Sequence, residues 1–345
     1  MRTLFNRFSF VAFLLTGAAI VVASCGKEGT VTEDGHRTEV RFTAGGQTKA
    51  AVTAHESDIN SLDLLVFRAD NGKLDAYNRV SGSTVVSGNL TVGMTAHYYV
   101  IANAPEHELN GYTDESAFLS GKTTLGQNGA ALLMKGAGTI SVVDGSPAVP
   151  VTLDRYVSKV SVQSVDVKWY DSFTTPPSFK IGRVALVNVV GDMPWSAVPA
   201  VGSVWWNRMN VSHVNDGTQA TANVMDLIIT PSYDIDVTGS GTIALDKSLY
   251  AYPNPTDNDV NSGTEPDWSV RDTRVALEII VDGVPNWYPV DLPAMRPNRH
   301  YVITKMTVMG PGSYTPDIPV SRSEVELEIQ VKEWEETETD VIFGL

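Results

Sequence analysis

Apolar and polar residues alternate at period two along most of this chain. The most regular stretch is 323–345, where Val325, Leu327, Ile329 and Val331 are separated by Glu326, Glu328 and Gln330, with Glu324 and Lys332 flanking them. Such spacing predicts a β-strand with one apolar and one charged face. At Trp334 the apolar phase shifts by one residue, which predicts a bulge or bend. Val341, Ile342 and Phe343 then form a second short apolar piece. A strand with so regular an apolar face must be held by a sheet, its own or a neighbour's.

The same pattern predicts strands over 39–44, 59–67, 74–80, 85–92, 97–103, 131–134, 139–143 and 149–153, divided by Gly, Pro and Asn-Gly turn signals. Residues 105–127 are irregular, with room for one short helix. A long valine-rich run follows over 155–167, and its start marks the expected boundary between two domains, 50–153 and 154–345. Beyond it come strands over 180–190 and 222–231, a hairpin of 275–281 with 286–292 across Asp282-Gly283, and a strand over 301–309. Residues 203–216, with Trp205 and Trp206, read as a long loop. Many short strands with no amphipathic helix between them predict an all-β chain of sandwiches.

Composition narrows the function classes. The 345 residues carry a formal net charge of −15, which argues against a nucleic-acid partner and against binding to an anionic membrane surface. Cys25 is the single cysteine, so no internal disulfide forms. Arg2 and Arg7 precede an apolar stretch over 8–22 that is short for a membrane-spanning helix, the make-up of an export signal. Val22-Ala23-Ser24-Cys25 resembles the bacterial lipobox, in which the cysteine is lipidated and becomes the mature N-terminus. On that reading 1–24 is a lipoprotein signal peptide and 26–37 a polar tether. The other reading is an ordinary secretory signal with an incidental cysteine.

Little in the chain points to catalysis. The six histidines (His36, His55, His97, His107, His213, His300) are scattered without metal-ligand spacing, and there is no nucleophile elbow, P-loop or dinucleotide fingerprint. Asp257, Asp259 and Asn261 alternate as in calcium loops, but Gly263 and Trp268 fall where an EF-hand needs other residues. The glutamates around 324–338 suit a solvated strand edge better than a carboxylate active site. Trp205 and Trp206 are candidate ligand contacts, as a glycan-stacking platform or as loop anchors. The expectation is a non-enzyme with no cofactor and no metal.

Several stretches, spread in order over nearly the whole chain, resemble the FimA-like fimbrillins, the lipoprotein-precursor pilin subunits of Bacteroides-type bacteria. They are the lipobox at Cys25, Glu-Ser-x-Ile-x-x-Leu-x-Leu-x-Val-Phe at 56–67, Leu-x-Arg-x-Val-x-Lys-Val at 153–160, Tyr-x-Tyr-Pro-Asn at 250–254, Arg-Pro-Asn-x-x-Tyr at 296–301 and Val-Lys-Glu-Trp at 331–334. The resemblance implies two tandem transthyretin-like β-sandwich domains and a protein that reaches the outer membrane through the lipid on Cys25. It implies that a trypsin-like protease removes the propeptide, 25–49, with its first strand, and that the C-terminal strand of another subunit fills the groove. Lys49-Ala50 is the expected cleaved bond, because Lys49 is the one basic residue in 45–51; the family has arginine near this point. Arg41 and Arg68 are the fallbacks. Val325, Leu327, Ile329, Val331, Trp334, Val341 and Phe343 are the expected donor residues. The expected partners are other fimbrial subunits in a head-to-tail polymer, the processing protease and the outer membrane. The alternative is a tip or anchor subunit, or a glycan-binding surface adhesin.

Overall fold

The structure, a computed structural model, describes residues 35–45, 56–125, 131–200, 202–207, 230–256, 270–316, 320 and 325–333. All of them belong to one compact unit, Gly35–Leu345.

Among the described residues the fold is all-β apart from one short α-helix and short 3-10 turns. In the first half the strands are β1 (Arg37–Gly45), β2 (Ser61–Arg68), β3 (Leu74–Ser81), β4 (Val85–Thr91), β5 (Thr95–Ala102), β6 (Lys122–Thr124), β7 (Met134–Ser141), β8 (Val149–Thr152) and β9 (Asp154–Arg155). They form a three-stranded sheet, β4-β1-β8, and a five-stranded sheet, β3-β2-β5-β7-β9. Between these sheets lies an apolar core of Val40, Phe42, Leu62, Leu64, Val66, Val86, Leu90, Val100 and Val151. Helix α1 (Glu115–Ser120) is capped by Asp114, whose carboxylate accepts from the Ser116 and Ala117 backbone N–H groups.

The second half contains β10 (Ser158–Val162), β11 (Ser164–Val167), β12 (Phe179–Val187), β13 (Val189–Val190), β14 (Asp192–Pro194), β15 (Trp205–Trp206), β16 (Ile235–Val237), β17 (Thr242–Ala244), β18 (Ser248–Ala251), β19 (Arg274–Val281), β20 (Val284–Asp291), β21 (Arg299–Val308) and β22 (Val325–Glu333). One sheet runs β16-β12-β19-β20, and the other is centred on β21, which pairs in parallel with both β10 and β11 and antiparallel with β22.

Three expectations need correction. The run over 155–167 is two strands, broken at Gln163, whose N–H donates to Ile303 O while its own carbonyl accepts from Leu245 N. The break lets β21 carry β18 beyond β10 and β17 beyond β11. Residues 131–143 hold one strand, β7, where two were expected. Its Gly136 and Gly138 read as breakers but serve close packing: a Cβ on Gly138 would lie 2.5 Å from the Tyr98 hydroxyl. Trp205 and Trp206 lie in a short strand on β13 rather than in a loop. The strand expected over 222–231 lies almost wholly outside the described residues.

The halves share side chains. The Trp195 ring stacks on Phe118 at 6.4 Å and meets Tyr156 edge-on at 6.1 Å, while β14 pairs with β6. Tyr156 donates its hydroxyl to Trp195 O at 2.9 Å.

Candidate functional site around the first strand

β1 is the middle strand of its sheet. It pairs antiparallel with β4, Arg37 opposite Thr91 through Thr43 opposite Val85, and in parallel with β8 from Phe42 opposite Val149. Alternate side chains point inward: Val40 and Phe42 are fully buried and Ala44 is 5% exposed. The Phe42 ring lies 5.0 Å from Tyr98. Glu39 and Arg41 face outward as an exposed ion pair.

The start of β1 is fixed by charge. Asp75 on β3 has a side chain with no exposure, and Arg37 donates to its Oδ2 at 3.2 Å. Arg37 also donates to the carbonyls of Asp75 and Asn89 and to Thr91 Oγ1. Asp75 accepts in addition from the Thr91 backbone N–H at 3.0 Å and the Thr91 hydroxyl at 2.8 Å. A carboxylate withdrawn from water is stable only with such partners.

The chain resumes after residues 46–55 at Glu56, and that end is fixed too. The Glu56 carboxylate accepts from Lys159 Nζ at 2.7 Å and from the Tyr250 hydroxyl at 2.6 Å, and its backbone carbonyl accepts from Arg155 Nε at 2.9 Å. Residues 46–55 therefore lie between the end of β1, where Gly45 is paired opposite Thr152, and the anchored Glu56. Lys49 and Ala50 are among them, outside the described residues. The fallback cut sites lie in sheet: Arg41 sits within β1, and Arg68 ends β2 with its N–H donating to Lys73 O. A strand held in a sheet cannot enter a protease cleft as an extended chain.

β22 lies on β21 over Arg299–Glu333 to Val308–Val325, with one register shift, and among the described residues no second strand lies beside it. Val325 is buried, while Leu327, Ile329 and Val331 are half-buried against the core of the second half. Glu333 pairs with Arg299. Of the expected donor residues, these four share one strand face; Trp334, Val341 and Phe343 lie outside the described residues, as do Cys25 and the candidate calcium loop at Asp257.

Trp205 and Trp206 are both half-buried. Trp205 donates its indole N–H to Gly202 O at 3.0 Å, and the Trp206 ring packs where a Cβ on Gly191 would come within 2.6 Å. The neighbouring Asp192 is shaped by opposed effects: burial raises its carboxyl, but Lys122, Ser203 and two backbone N–H groups bring the net direction down. Among the described residues, no group of three His, Cys, Asp or Glu side chains could hold a metal ion, and no helix is long and apolar enough to cross a membrane.

Sequence reasoning missed the Arg37–Asp75 and Glu56–Lys159 pairs. Nothing in their spacing announces them, although Glu56 and Lys159 each fall within a quoted motif.

Comparison with known proteins is most specific over this first half. Residues 37–154 match the family model of the major fimbrial subunit protein (FimA). No curated protein matches the chain. Among solved structures, a candidate cell adhesion protein from Bacteroides eggerthii DSM 20697 superposes with a TM-score of 0.62 at 16% identity, covering 87% of this chain and 97% of its own. A candidate cell adhesion protein from Parabacteroides distasonis ATCC 8503 gives 0.60 at 15% identity, covering 88% and 99%. A fimbrilin (FimA) from Porphyromonas gingivalis W83 gives 0.54 at 16% identity, covering 86% and 97%. At these identities the likeness is one of fold.

Proposed function

We propose that this chain, whose residues 37–154 match the family model of the major fimbrial subunit protein (FimA), is a structural subunit of a fimbrium: exported as a lipoprotein through Cys25, trimmed at Lys49-Ala50, and joined head to tail by strand exchange. The coarser assignment, a fimbrial or adhesion protein of the cell surface, follows from the family. The role is assembly rather than catalysis.

The observation that carries the proposal is the placement of β1. It is a middle strand that inserts Val40, Phe42 and Ala44 into the core, and it directly precedes the segment that holds Lys49. Removing it would expose the facing edges of β4 and β8 and empty two large apolar pockets. Val40 and Phe42 each contribute about 1.5–3 kcal/mol of burial, so the trimmed protein gains strongly by accepting another strand. Strand addition satisfies the backbone groups of both edges. Donation that does not close on itself grows a filament.

The test is limited trypsin treatment of the purified precursor, with sequencing of the new N-terminus and electrophoresis in SDS. The expected result is a cut after Lys49 and a ladder of SDS-resistant oligomers. A clean cut without a ladder overturns the proposal.

A further inference from the structure

The sheet edges of the second half differ in how they are protected. Among the described residues, the edge strands β13 to β18 are two to four residues long. β20 is longer, but it carries Pro285 and Pro289, and proline has no N–H to offer a further strand. Short strands and prolines are ordinary means of keeping a sheet edge from pairing. β22 has neither. It runs nine residues without proline or glycine, and β21 is its one strand partner among the described residues. Its inner face is incompletely covered as well. On β21, Tyr301, Ile303, Met306 and Val308 are at most 2% exposed. Opposite them on β22 stand Val331, Ile329, Leu327 and Val325. Val325 is buried, but Val331, Ile329 and Leu327 are only half-buried, as on a strand whose outer side is open.

The order of residues along β22 is self-complementary. The strand reads Val-Glu-Leu-Glu-Ile-Gln-Val-Lys-Glu. Turned end for end about Ile329, it sets Glu326 opposite Lys332, Leu327 opposite Val331, Glu328 opposite Gln330 and Ile329 opposite itself. Directly opposed residues of antiparallel strands share a face. Apolar side chains therefore meet apolar ones on the inner face, and each lysine meets a glutamate on the outer. Val325 falls opposite Glu333 at the two ends, where Glu333 is already paired with Arg299. Other arrangements fit less well. A turn about Glu328 sets that carboxylate against its own copy, and a parallel in-register pair stacks Glu326 and Glu328 on theirs; like charges so placed repel. A turn about Gln330 keeps a match of Glu328 with Lys332 but pairs a shorter stretch. A slip of one residue sets apolar side chains against charged ones.

We propose that the untrimmed chain associates with a second copy through the outer edge of β22, antiparallel about a two-fold axis at Ile329, so that the sheets continue as β21-β22-β22-β21 across the contact. The backbone groups of two open edges satisfy each other, and Leu327, Ile329 and Val331 of each copy cover those of the other. The contact is isologous, so it closes at two copies and cannot grow a filament. It needs neither the cut nor the place of β1, and so stands apart from the strand exchange proposed above. The glutamates that discourage other pairings of this edge are the same ones that Lys332 matches in this register.

Sedimentation velocity of the purified untrimmed chain is the first test, and a monomer–dimer equilibrium that stops at two copies is expected. Lys332→Glu turns both cross-strand matches into repulsions and should weaken the dimer about tenfold. Adding Glu326→Lys to that variant exchanges the two charges, and the dimer is expected to return. Cross-linking reads the register. With Cys25→Ser throughout, Ile329→Cys is expected to give a disulfide-linked dimer under mild oxidation, because opposed residues of antiparallel strands stand close enough to be bridged. Gln330→Cys, whose counterpart across the axis is Glu328, is expected to give far less. Cross-linking of Gln330→Cys in place of Ile329→Cys overturns the register. A chain that sediments as a monomer at every concentration overturns the contact, as does a dimer untouched by Lys332→Glu and linked by neither cysteine.

Discussion

Lys159 shows how much a single buried charge can hold. It lies in β10 at 1% exposure, and its ammonium meets Glu56 at 2.7 Å. Replacing Lys159 by Met takes the Lys159 ammonium away from the buried Glu56 carboxylate, a loss of about 3–5 kcal/mol. Urea unfolding is expected to show a large fall in midpoint. The pair Glu56→Gln with Lys159→Met should cost less than the sum of the two single changes, since the couple then leaves together. None of this was legible beforehand. The partners are 103 positions apart, and within the valine run Lys159 reads as a polar interruption. Arg37 and Asp75 escaped notice for the same reason. Period-two patterning reports which face of a strand a residue takes, and says nothing of which distant strand will face it.

Elements were more legible where alternation was clean. The alternating 39–44 became the core of β1, because one buried face leaves a regular trace, while 59–67 became β2 as a nearly continuous apolar run buried on both faces, and the Asp282-Gly283 turn joins β19 to β20. Prediction faltered where glycine stands for contact. At Gly136, in β7, an added Cβ would lie 2.2 Å from Val151 Cγ1 and 2.5 Å from Thr152 O. Gly136→Ala must therefore push β8 away, at about 1–3 kcal/mol. Because β8 is also the parallel neighbour of β1, hydrogen exchange at residues 42–45 should quicken in this variant, while exchange at β19 stays as it was. Unchanged exchange at β1 would show that β7 absorbs the strain instead. The Gln163 break was hidden for a different reason: valines continue across it, and only the partners of β21 reveal that the sheet changes neighbours there.

Across the whole molecule, the sequence divides the chain more sharply than the packing does. One core cluster runs from Phe67 and Phe118 through Tyr156 and Trp195 to Val308, so side chains of both halves are buried together. Acid should act on that shared unit. Burial, and after it the Lys159 charge, holds the His300 imidazole down at about 4 from its usual 6.5; Lys332 adds to this and Glu56 opposes it. Between those values the unfolded chain binds a proton that the folded chain refuses. Stability from this group is complete above pH 6.5 and is lost as pH falls toward 4, on the order of 3 kcal/mol. His300→Gln should flatten that part of the urea midpoint profile against pH. An unchanged slope would assign the acid sensitivity to other groups. The setting of β1 has a mechanical consequence as well. Its ladders to β4 and β8 run across the strand axis, so a pull along that axis cannot open them one bond at a time. The load falls on both ladders together, in shear. Any strand that fills this position inherits the same geometry, and how long it holds under tension is set by the rate of a single concerted rupture rather than by the affinity of the resting joint.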